Sequence, residues 1–261
     1  PRVIPRWYNS AMNQAPRAHR RRRRASAPVQ LELRPANTWG GRRDGAGRKK
    51  TGRTKVAHEA RPRITHNWPV HVTLRLRDDL PRLHRGRLYL RRLVREALRE
   101  SCERASFRLC HFSWQGNHLH TICEADDATA LARGVQGLAV RLARRLNARL
   151  GRRGAVYAER YHVRVLETPL EVKRCLAYVL LNAKKHSAKR GDRIGPDWFD
   201  PYSSAAWFDG WAEELPWREP WMRELAGETP VVAPAQSWLL RAGWKEKHGP
   251  LSLTQTPGGG A

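Results

Sequence analysis

Seven periodic segments between residues 66 and 190 constrain the fold more than any other property of this chain. Val70-His71-Val72-Thr73-Leu74-Arg75-Leu76 alternates apolar and polar side chains, the period of a half-buried strand. Residues 83–102 instead gather Leu90, Leu93, Val94, Ala97 and Leu98 on one broad side, as an amphipathic helix does. Residues 106–114 and 118–124 read as two strands, and Gln115-Gly116-Asn117 supplies the turn chemistry that joins them as a hairpin. Across residues 127–150, Leu131, Val135, Leu138, Leu142, Leu146 and Leu150 recur at three- and four-residue steps. Gly151 then stands where a helix C-cap glycine is expected. Residues 161–166 fit a fourth strand. Thr168-Pro169-Leu170-Glu171 marks the last helix start, with a capping-box pair and proline at the first helical position. That helix is predicted to run to about Ser187.

The first six segments spell β-α-β-β-α-β. This order predicts an α+β, ferredoxin-like domain over residues 66–191, an antiparallel sheet with both crossover helices on one face. The seventh segment is an added C-terminal helix, free to lie across the open face. Residues 1–65 lack apolar periodicity and carry an arginine run at 20–24 and a second basic stretch at 40–50. Such a segment buries too little apolar surface to offset its ordering entropy, which predicts a mostly disordered basic arm. Residues 192–250 form a Trp/Pro-rich extension punctuated by Trp198, Trp207, Trp211, Trp217, Trp221, Trp238 and Trp244. These rings could stack on unpaired bases or anchor an irregular subdomain on the main core, the commoner use. Residues 251–261 are predicted to be a disordered tail.

Charge narrows the partners. Lysine and arginine number 50 against 24 acidic residues, a formal charge of +26, which favours encounter with polyanions without naming one. No run approaches the ~20 apolar residues of a membrane-spanning helix, and no signal peptide is expected. Cys102, Cys110, Cys123 and Cys175 form no CxxC pair. They read as reduced, mostly buried residues of a cytosolic protein, not as a zinc site or disulfide frame.

Two constellations carry chemistry. In a strand, residues i and i+2 share a face, so His118-Leu119-His120 projects two imidazoles side by side, suited to one divalent cation. With 11 histidines in 261 residues, about half of one such pair arises by chance, so the triplet alone is weak evidence. On the last helix, Glu171, Arg174, Asn182 and Lys185 fall within ~40° of Tyr178 at 100° per residue, while Val172, Leu176, Val179, Leu180 and Ala183 gather opposite. Tyr178 thus sits in a polar stripe, where its phenolic oxygen could attack a phosphodiester or its ring could simply pack on neighbours. A divalent ion would relieve the repulsion between phosphate and nucleophile. A phosphotyrosyl bond would conserve the energy of the broken ester, so that rejoining needs no ATP. Consistent with that, no GxxxxGK[ST] loop occurs. The basic groups Arg75, Arg160, Arg164, Arg174, Lys184 and Lys185 are candidate phosphate contacts. Tyr157 and Tyr161 are rival nucleophiles, but each lies at or before a strand and lacks a helical polar stripe.

Taken together, Gly116-Asn117-His118-Leu119-His120 and Tyr178-Val-Leu-Leu-Asn182-Ala-Lys-Lys185 resemble the HUH single-tyrosine transposases of bacterial insertion sequences, nearest the REP-associated tyrosine transposase branch. The resemblance covers about residues 66–200. It implies a ferredoxin-like catalytic domain that binds single-stranded or hairpin DNA with Mg2+ or Mn2+, as monomer or homodimer, in the bacterial cytoplasm near the nucleoid. It further implies His118 and His120 as metal ligands, Tyr178 as the nucleophile leaving a 5′-phosphotyrosine, and Asn182 as a third or water-bridged ligand. Many insertion-sequence members carry glutamine at the place of Asn182, and branch members often carry proline where this chain has Ala183. The expected function is a single-stranded DNA endonuclease and strand transferase. The alternative is a non-catalytic DNA- or RNA-binding protein on the same scaffold, such as a domesticated transposase.

Overall fold

In a computed structural model, residues 62–80, 88–189, 191, 195–217 and 219–255 are described. All of them belong to one compact unit, Gly52–Ala261. Most of the expected basic arm, the first residues of the expected first helix and most of the expected tail lie outside them.

Five strands form one sheet: β1 (Val70–Arg75), β2 (Glu103–Arg104), β3 (Phe107–Gln115), β4 (His118–Ala125) and β5 (His162–Val165), in the order β2-β3-β4-β1-β5. Every neighbouring pair is antiparallel. With helices α1 (Leu88–Arg99) and α2 (Ala128–Arg149), this is the expected β-α-β-β-α-β plan, extended by the two-residue strand β2. A strand that short leaves no alternation to read in the sequence. Gly116 turns the β3–β4 hairpin at φ 58°, a left-handed conformation that glycine adopts without strain.

The alternation of β1 divides the sheet. Val70, Val72 and Leu74 face one side, where Leu109, Phe112, Leu119 and Cys123 join them under Leu90, Val94, Leu131, Leu138 and Leu142 of the two crossover helices. Helix α2 begins at an Asp127 N-cap whose side chain accepts from the Ala130 amide at 2.7 Å. It passes close over the sheet, for a Cβ at Gly134 would lie 2.2 Å from the Phe107 ring.

His71, Thr73 and Arg75 face the other side. Helix α3 (Pro169–Lys189) lies there, packed on β3 and β4. Its start is the predicted capping box: the Glu171 amide donates to Thr168 Oγ1 at 3.2 Å, and the Thr168 amide donates to Glu171 Oε2 at 3.2 Å. Val172, Leu176, Val179 and Leu180 are buried in a second core with Ile122 of the sheet and with Phe199, Phe208, Trp244 and Leu251 from beyond the helix. The Trp/Pro-rich extension therefore covers the outer side of α3. It contains α4 (Pro220–Ala226) and α5 (Trp244–His248), the latter continuing a π-helical stretch at Leu239–Gly243. Trp244 is buried in that core and Trp198, Trp207, Trp211 and Trp221 pack against it, whereas Trp217 and Trp238 remain exposed. Most of these rings anchor the extension. Among the described residues, no helix is long and apolar enough to cross a membrane.

Candidate active site on the open sheet face

Strand pairing brings the two histidines into line with β1. Thr73 lies opposite His120 and Arg75 opposite His118, while on the far side Ser113 and Gln115 of β3 face the same two positions. The imidazoles of His118 and His120 stack with centroids 6.0 Å apart and planes 16° apart. His71, one step along β1, stacks on His120 at 5.5 Å.

Tyr178 comes down onto this row from α3. Its ring meets that of His120 edge-on at 5.2 Å and that of His71 at 5.9 Å. The residue is 39% exposed, so the phenol lies over the histidines yet remains open to solvent. One turn further, Asn182 is buried, its Nδ2 donating to Gln115 Oε1 at 2.6 Å and to His186 Nε2 at 3.3 Å. The sequence reading passed over Gln115, taken there for turn chemistry, and His186. The second was legible: Tyr178, Asn182 and His186 follow one another at four-residue steps on one helix face.

The environment keeps the imidazoles of His71 and His120 neutral. Burial, reinforced by His71, His118 and His186, lowers the His120 pKa to about 3. Burial and Arg164 bring His71 to about 4. A neutral imidazole is the form that ligates metal, and a ligating histidine commonly engages a partner through its other ring nitrogen. His120 has such a partner, with Nδ1 3.2 Å from the Thr73 hydroxyl; in the tautomer that donates from Nδ1 to Thr73, Nε2 carries the lone pair. No three His, Cys, Asp or Glu side chains converge to hold a cation among the described residues. The ligands expected from the sequence, His118, His120 and Asn182, amount to two imidazoles and one amide, a set that would suit an open site completed by water or phosphate oxygens. Burial, then Cys175, raises the Tyr178 pKa, so its phenol is protonated at neutral pH.

The basic residues separate into groups. Arg164 lies on β5 opposite His71 and pairs with Glu171 at 3.1 Å. Arg75 pairs with Asp78 at 2.8 Å. Arg174 is exposed one turn before Tyr178, and Lys185 and Arg160 are half-buried. Lys184 stands apart: it is buried, and its Nζ donates to the carbonyls of Pro196 and Leu253. Its place is in the packing of the extension on α3, which a helical wheel of α3 alone could not reveal. Tyr157 is spent on structure, donating to the Ala139 carbonyl at 3.0 Å, and burial raises its pKa. Tyr161 packs against the α1/α2 core.

Residues 70–180 match the family model for IS200-like transposases. The matched segment spans β1 to α3 and includes His118, His120 and Tyr178; Asn182 lies two residues beyond it. A solved structure of a REP-associated tyrosine transposase bound to a REP hairpin is similar at 13% identity and a TM-score of 0.41, covering 57% of this chain and 82% of that one. No curated protein matches the chain.

Proposed function

We propose that this chain, which matches the IS200-like transposase model over residues 70–180, is a transposase of that kind and cuts and rejoins single-stranded DNA through a covalent 5′-phosphotyrosine at Tyr178. One observation carries the reading. The tyrosine ring lies 5.2 Å from His120, on the same open sheet face as the His118–His120 pair, with the phenol accessible to solvent.

In the reaction, the Tyr178 oxygen forms a bond to phosphorus and the bond from phosphorus to the 3′ oxygen breaks. The phenolic proton leaves to solvent and the departing 3′ oxygen takes one up, so the products are a 5′-phosphotyrosine and a free 3′-hydroxyl. Attack by that hydroxyl, or by another 3′ end, reverses the step and restores the phenol without ATP. His118, His120 and Asn182 would hold a Mg2+ or Mn2+ ion, which when bound polarises the phosphoryl oxygens and offsets developing charge. Thr73 holds the His120 ring in register for that task. Arg164, Arg174 and Lys185, with Arg75 and Arg160 at the site's edge, would hold the DNA backbone. The substrate in this reading is a hairpin or single-stranded DNA end. The site would act in the cytoplasm, where the DNA lies.

Tyr178→Phe tests the assignment. It should abolish the SDS-resistant adduct with a labelled hairpin-tailed oligonucleotide while DNA binding persists, and His118→Ala should remove metal stimulation of cleavage. An adduct formed by the Phe variant would refute the role of Tyr178.

A further inference from the structure

A chain of hydrogen bonds reaches the Asn182 amide from outside the family-matched segment, and its direction is set at its far end. Asp200 lies in the extension, buried, with Oδ1 accepting from the Tyr202 amide at 2.9 Å. Its Oδ2 accepts from the fully buried Ser113 hydroxyl at 3.5 Å. A carboxylate only accepts, so the single Ser113 proton points to Asp200 and Ser113 Oγ must accept from its other neighbour. That neighbour is Gln115 Nε2, at 3.1 Å. The Gln115 amide is thereby turned with Oε1 towards Asn182, which must answer with Nδ2, at 2.6 Å. His186 Nε2 accepts from the same nitrogen at 3.3 Å. Both side-chain hydrogen bonds of Asn182 thus run through Nδ2, and Oδ1 is the atom left for other work.

We propose that Asp200 is a positioning residue. Through Ser113 and Gln115 it fixes the orientation of the Asn182 amide, so that an oxygen and not an NH2 group is offered to the cation. This rests on the reading of His118, His120 and Asn182 as a cation site. An amide turned the other way would aim two N–H donors at a positive ion. Asp200 reaches Ser113 only because the extension packs against β3, where the Trp114 amide donates to the Tyr202 carbonyl at 2.9 Å. The extension is then a part of the site and not merely a cover for α3.

The chain predicts a reversal that a merely structural role would not produce. Asp200→Asn can still accept from the Tyr202 amide and now donates to Ser113, which lets every bond in the chain turn over. Mn2+ binding to the full-length protein, read from the electron paramagnetic resonance signal of free Mn2+, should weaken about 10-fold, the scale of lost outer-shell support. In an Asn182→Asp background, both side-chain atoms facing the site are oxygens and the direction of the chain no longer matters. There D200N should leave Mn2+ affinity unchanged or tighten it. Equal loss in both backgrounds, or no loss in the wild-type background, would overturn the proposal. Ser113→Ala cuts the same chain while sparing the Asp200–Tyr202 bond, and carries the same comparison if D200N does not fold. The cation reading itself has a separate control: if His118→Ala/His120→Ala binds Mn2+ as tightly as wild type, that reading fails whatever D200N does.

Discussion

His111 shows how a single buried imidazole on the open sheet face ties stability to pH. It lies against Phe208 of the extension, with ring centroids 5.4 Å apart, and its Nδ1 is buried without a partner. Burial lowers its pKa from 6.5 to about 4. A group whose folded pKa is depressed binds more protons in the unfolded chain between those two values. Its contribution to stability is therefore intact above pH 6.5 and is lost progressively as pH falls towards 4. His71 and His120 add slopes of the same sign over overlapping ranges. His111→Leu removes one of the three groups without adding a polar atom to that contact. In thermal melts across pH 7 to 4, the variant should lose midpoint temperature less steeply than wild type. Parallel curves would mean that His111 titrates normally.

Among the elements, the joint between β4 and the extension gathers four hydrogen bonds on one buried carboxylate. Glu124 is 1% exposed at the end of β4. Its carboxylate accepts from the Gln236 amide at 2.8 Å, the Ser237 amide at 2.9 Å, the Ser237 hydroxyl at 2.7 Å and Arg108 Nε at 3.3 Å. Glu124→Ala would strand a buried guanidinium and three donors at once. Breaking a buried pair in this way costs about 3–5 kcal/mol, and chemical denaturation should show a loss of that order. A loss below 1 kcal/mol would mean that the joint rearranges freely. This joint also marks the limit of what the sequence discloses. Strands β1, β3 and β4 and helices α2 and α3 follow from local alternation, the turn at 115–117, leucine periodicity and a capping box, all written within a few residues of one another. Glu124 meets residues 112 and 113 positions away, and Asp200 meets Ser113 across 87. Contacts of that range leave no periodic trace. Lys184 is the counterpart on α3: its charge reads as solvent-facing until the carbonyls of Pro196 and Leu253 are seen to surround it.

At the scale of the molecule, the candidate site was legible in its chemistry and not in its support. His118, His120 and Tyr178 could be paired from strand period and helix phase, whereas Gln115 and Asp200 join them only through folding. Net charge lies at the opposite extreme, being readable without any fold. The formal charge of +26 includes the arginine run at 20–24 and the basic stretch at 40–50, both outside the described residues. If those cations contact DNA phosphates, each releases a condensed counterion, and the logarithm of single-strand affinity falls against the logarithm of salt by about 0.7 per contact. Removing residues 1–51 should then make that slope shallower while leaving the cleavage position and the Tyr178 adduct unchanged, because His118, His120, Tyr178 and Asn182 all lie beyond them. Fluorescence anisotropy with a labelled oligonucleotide over 50 to 300 mM salt, roughly the range in which such slopes are resolved, measures the first quantity, and a denaturing gel of the adduct measures the second. An unaltered slope would assign the basic arm to solubility and leave DNA capture to Arg164, Arg174 and Lys185 beside the tyrosine.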